Sequence, residues 1–156
     1  MSTKTRTGSE LVVEDGSWVS GVLAGIAGSV VMAALMIAMG ATAVLAVAMP
    51  GMYTLAPPAN PVAGLFVHLS HGAVLGVVFV AALNAAGVDD PRRVVAAGVG
   101  YGVVAWVVLA ALVMPVWLGA VGFPNAPPFP NFAVPSLLWH LVYGVVLGAV
   151  VVALER

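Results

Sequence analysis

Three histidines carry most of the chemical potential of this chain, and their spacing is ordered. His68 stands four residues before Gly72 and eight before Gly76, and His140 stands likewise before Gly144 and Gly148. At 3.6 residues per turn each set forms one stripe along a helix. Polar side chains inside a membrane turn toward the bundle interior, so both imidazoles are predicted on the packed face. A neutral imidazole is the metal-ligating form. Two facing helices that each offer one histidine, flanked by glycines, suit the axial ligation of a b-type haem. His68 and His140 are then the metal ligands. His71 and Tyr143, one turn further along, would also face the group.

Three other readings stand beside this one. In the first, each histidine donates to a neighbouring carbonyl, or to Tyr143, and pins the register of its helix. In the second, Met32, Met36 and Met39 recur at helical spacing. Thioethers suit Cu(I), although methionine at such spacing also fills cores. In the third, His71, Tyr143, Tyr101 and Ser29 line a path for a small solute or metal. No acidic residue lies within the apolar stretches, so a carboxylate proton relay has no members.

No catalytic residue is predicted. The chain has no cysteine, hence no thiolate metal site, iron–sulfur cluster or covalent haem attachment. It has no Gly-rich phosphate loop with lysine, no His-Glu pair on a helix and no Gly-x-Ser-x-Gly elbow. No carboxylate is near the histidines to orient a base. An enzyme acting alone is not expected.

The elements that must position these residues follow from composition. Of 156 residues, 62% are apolar and 7% charged, and the mean hydropathy is +1.13. A soluble domain carries about 25% charged residues. The composition therefore excludes a soluble enzyme and a nucleic-acid binder and indicates an integral membrane protein, with the lipid bilayer as its first partner. No charged residue occurs from Gly16 to Val88 or from Val94 to Leu154. Each stretch exceeds one crossing, because about 20 apolar residues span the hydrocarbon. Each is cut once by prolines, around Pro50–Pro61 and around Pro124–Pro130. Four helices are predicted, at 18–48, 62–86, 93–118 and 133–154. The first, at about 46 Å, must tilt, bend near Gly40 or emerge beyond the bilayer.

Four crossings place the N-terminal tail (1–17), the turn at 88–93 and the C-terminus on one side. All five Lys and Arg residues lie there and none in the proline-rich loops. The positive-inside bias puts both termini in the cytoplasm of a cell-membrane protein.

The helices also repeat. Residues 68–81 read HLSHGAVLGVVFVA and residues 140–153 read HLVYGVVLGAVVVA. Gly21 and Gly25 align with Gly98 and Gly102, and Ala-Pro-Pro recurs at 56–58 and 126–128. The expected architecture is an all-α four-transmembrane-helix bundle made of two tandem parallel two-helix repeats, 18–87 and 94–156. Glycines four apart in every span predict close helix packing, and association into a homo-oligomer or larger membrane complex.

The doubled hairpin with His-x-x-x-Gly-x-x-x-Gly resembles a group of small uncharacterised four-span prokaryotic membrane proteins, best represented in halophilic archaea and sometimes labelled histidine kinase. The resemblance covers about residues 18–154 and implies fold and location, but no activity. The kinase label has no support in the residues, since no phosphoacceptor helix and no ATP-binding segment is present. The expected role is that of a non-enzymatic structural or accessory subunit. A small membrane cytochrome b and a small-solute or metal carrier are the alternatives.

Overall fold

A computed structural model describes residues 17–155. The tail expected at 1–17 lies outside the described residues apart from Ser17, where the first helix begins. Four helices are long and apolar enough to cross a membrane: α1 (Ser17–Ala38), α2 (Pro61–Ala86), α3 (Pro91–Ala120) and α4 (Val134–Leu154). No strand occurs among the described residues. Their starts follow from local chemistry. Asn60 caps α2 by accepting from the Ala63 amide, and Asp90 caps α3 by accepting from the Arg92 and Arg93 amides. Proline at the first turn of α2, α3 and α4 occupies positions whose amides have no helical partner.

The first crossing is shorter than the span 18–48 expected from hydropathy. It stops at Ala38 because Gly40 takes φ +77°. There the Gly40 amide donates to the Ile37 carbonyl and the Ala41 amide to the Met36 carbonyl, the paired bonds of a helix terminus. The chain then folds back as a π-helical turn, Val44–Ala48, and one further turn, Met49–Gly51. This segment lies against α2, with the Leu45 carbonyl and the Pro50 ring over Gly64. α3 also contains a π-helical stretch, Trp106–Val113, that ends at Met114-Pro115.

Both breaks solve the same problem. A proline removes the amide that would bond the carbonyl four residues earlier. Pro50 and Pro115 thereby deprive the carbonyls of Ala46 and Ala111. The Asn60 amide donates to Ala46 (2.7 Å) and the Asn131 amide to Ala111 (2.9 Å). The two proline-rich loops are thus tied to the helices they interrupt, as the scarcity of donors in lipid requires.

Packing follows the glycines. Gly25 meets the Gly72 carbonyl and Gly21 the Gly76 carbonyl, which binds α1 to α2. Gly98 meets the Gly144 carbonyl and Gly102 the His140 carbonyl, which binds α3 to α4. The register differs from the sequence alignment by one turn. Aligned by sequence, Gly21 corresponds to Gly98. By contact, Gly98 takes the place of Gly25, and Val94 lies against Gly148 as Gly21 lies against Gly76. The two glycine pairs are equally spaced, so sliding by four residues still sets glycine against glycine.

The hairpins join mainly through α1 and α4. Their shared core holds Ala24, Met32, Met36, Tyr143, Leu147 and Val151, closed by Phe79 and Val80 of α2.

Candidate functional site

His68, Tyr143 and Tyr101 give α2 one polar contact to each of the other helices. His68, 4% exposed, lies two turns into α2 and faces α1. Its Nε2–H donates to the Ser29 carbonyl at 3.0 Å. The Ser29 hydroxyl donates to the Gly25 carbonyl one turn back, at 2.8 Å. That hydroxyl occupies the space a side chain on Gly72 would need. One turn along α2, the Gly72 carbonyl accepts from the Tyr143 hydroxyl of α4 at 2.9 Å. Three residues further, the Leu75 carbonyl accepts from the Tyr101 hydroxyl of α3 at 2.9 Å. The Tyr101 ring packs on Phe79 at 5.2 Å between centroids.

His140 departs from the inward stripe. It is half-buried, and its Nδ1–H donates to the Ser136 carbonyl of its own helix at 2.7 Å. The cause lies opposite. At the level where Ser29 faces His68, Gly102 faces His140, and the seam there is backbone against backbone. The ring turns onto its own helix. Both histidines therefore commit one ring nitrogen to a carbonyl, but on different helices.

His71 and Tyr143, matched by sequence, also part company. Tyr143 is 3% exposed and spans from α4 to α2 over Gly28. His71 faces the folded-back segment after α1, where its Nε2 lies 2.6 Å from the Tyr53 hydroxyl. Tyr53 was not among the residues the sequence pointed to. It sits in a proline-rich loop with no periodicity to link it to α2.

The methionines do not act together. Met32 and Met36 are buried in the hydrophobic core, whereas Met39 is exposed and its sulfur accepts the Trp139 indole N–H at 3.1 Å. Among the described residues no group of three or more His, Asp or Glu side chains is placed to hold a metal ion. For haem, the donor set is two imidazoles that each still have one nitrogen without a hydrogen bond shown to it, with the Tyr143 ring inserted between α2 and α4 one turn below them. The residues proposed for a solute path are engaged as well: Ser29, Tyr101 and Tyr143 each donate to a backbone carbonyl.

Fold and site together define an all-α membrane protein, a four-helix bundle in which His68, Ser29, Tyr101 and Tyr143 all bond to backbone carbonyls. The chain belongs to DUF6789, a family of unknown function, whose model matches residues 16–156. No curated protein and no solved structure matches it.

Proposed function

We propose that this chain is a non-enzymatic structural or accessory subunit of the cell membrane, with both termini in the cytoplasm and its two hairpins descended from one. The observation that carries this reading is the fate of the polar groups. Among the described residues no buried side-chain nitrogen or oxygen lacks a partner, and His68, His140, Tyr101 and Tyr143 each donate to a main-chain carbonyl. Side chains used in this way fix helix register. Gly100, with no atom near its missing side chain on the exposed face of α3, is available for contact with another copy or a larger complex. The orientation rests on Arg92 and Arg93 at the α2–α3 turn and the absence of Lys and Arg from both proline-rich loops.

The test is an absorption spectrum of protein purified from haem-replete cells. The expected spectrum has no Soret band at full yield. A stoichiometric band that disappears in His68→Leu and His140→Leu would make the protein a cytochrome b and overturn the reading. Tags at the two ends should be equally accessible from the cytoplasmic side; opposite accessibility would refute the orientation.

A further inference from the structure

A second polar cluster lies at the proline-loop end of the bundle, between α2 and the last turns of α3. His71 and Tyr53, when neutral, carry one N–H and one O–H between them. Their mutual bond of 2.6 Å uses one of these protons. Whichever tautomer is present, the other remains a donor, on His71 Nδ1 or on the Tyr53 oxygen. No acceptor for it is found among the described residues. The spare donor is not buried, so it is open to a molecule that arrives beside the pair.

Trp117 connects this donor to an apolar trough. Its ring lies 5.9 Å from the Tyr53 ring, and its N–H is held by the Met52 carbonyl at 2.9 Å. Tyr53 is 41% and Trp117 43% exposed, so both rings are open on one side. Trp117 also lines a shallow, open apolar groove along α3, with Leu112, Val116, Ala120 and Phe129. A single donor, an aromatic plate and an apolar groove thus adjoin through Trp117. The complementary molecule has a planar head with a carbonyl and a long apolar chain. No cation lies near to favour a phospholipid phosphate: those among the described residues, Arg92 and Arg93, begin α3 at the opposite end.

We infer that Tyr53, His71 and Trp117 bind the head of a lipid-soluble quinone, with its carbonyl accepting from the Tyr53–His71 pair and its chain in the groove beside α3. The site binds the quinone; no electron transfer is involved. The inference goes beyond the accessory reading and does not depend on it.

The test uses the full chain in phosphatidylcholine nanodiscs and a decyl-tailed benzoquinone, read by quenching of tryptophan fluorescence. The expected result is saturable quenching whose saturable part vanishes in Trp117→Phe, while the remaining three of the four tryptophans still emit. The double variant Tyr53→Phe/His71→Phe, which removes every donor of the pair, should weaken binding at least tenfold. Ala120→Phe changes only an exposed position in the trough, so it keeps the test decisive if the double variant fails to fold. It should weaken the decyl-tailed probe and leave a tailless benzoquinone unaffected. Equal binding by wild type and Ala120→Phe would overturn the inference. So would quenching of Trp117 by brominated phosphatidylcholine that the quinone does not displace, since the groove would then hold ordinary bilayer lipid. Neither result would bear on the haem spectrum that tests the accessory reading.

Discussion

The Tyr143 hydroxyl donates to the Gly72 carbonyl, 2.9 Å away, and so joins the second hairpin to the first at the centre of the bundle. Tyr101 does the same at Leu75, less than one turn further along α2. Glycine at position 72 lets Ser29 approach, and glycine at position 25 lets α1 lie against the Gly72 carbonyl. These side chain to backbone bonds add to the apolar core shared by α1 and α4, while each hairpin is packed internally by glycine against glycine.

Tyr143→Phe should lower stability by about 1 kcal/mol, the usual size of an interhelical hydrogen bond in a membrane. Tyr101→Phe should cost a similar amount. Unfolding midpoints in mixed micelles of rising SDS content would measure this. An unchanged midpoint in Tyr143→Phe would mean that the hydroxyl contributes nothing to hairpin association.

Two glycines on α3, two residues apart, should respond oppositely to the same change. A methyl group on Gly98 would run into the Gly144 carbonyl oxygen. Gly98→Ala is expected to cost roughly 1–3 kcal/mol by overpacking. Gly100 has open space, so Gly100→Ala should be neutral or stabilise the helix by up to about 1 kcal/mol. A matching contrast holds on α4, where Gly144→Leu should prevent assembly and Val150→Leu should not. The same SDS titration ranks all four variants, and equal losses at Gly98 and Gly100 would contradict the seam.

The four crossings were legible because charge is absent over long stretches and proline interrupts each once. The glycine seams were legible as spacing, but their register was not. Gly98 and Gly102 can meet Gly144 and Gly148 in two ways four residues apart, and only three-dimensional packing selects one. The inward stripe matches the buried position of His68 but not the His140 ring, which turns onto its own helix. What decides the His140 ring is the residue across the seam, Gly102 where the first hairpin has Ser29. Tyr53 could not be read at all, because its partner His71 lies across a loop whose path no local rule dictates. The bend near Gly40 was one of three readings, and φ +77° selects it.

Gly40→Ala is expected to destabilise the chain by about 1–2 kcal/mol, the cost of a left-handed conformation for a residue with a side chain. No atom lies near the added methyl, so backbone strain is the whole effect. Gly40→Asn should recover part of the loss, because asparagine tolerates this region better than alanine does. If alanine and asparagine behave alike, packing rather than φ governs the site.

Pro115 leaves the Ala111 carbonyl without its helical donor, and the Asn131 amide supplies the bond at 2.9 Å. Pro115→Ala restores an amide in the position to bond Ala111. That amide is already in place along α3, so it pays no loop-ordering entropy and should displace Asn131. The loop amide would then exchange its hydrogen faster, by roughly tenfold if about 1.4 kcal/mol of protection is lost. The equivalent change, Pro50→Ala, should release the Asn60 amide from Ala46. Hydrogen exchange followed by mass spectrometry on peptides spanning Asn60 and Asn131 separates the two events. Each substitution should loosen only its own loop, because each carbonyl is served by a different amide. Acceleration of both loops by either single change would show that the proline breaks are coupled through the bundle, contrary to the independence that these two bonds imply.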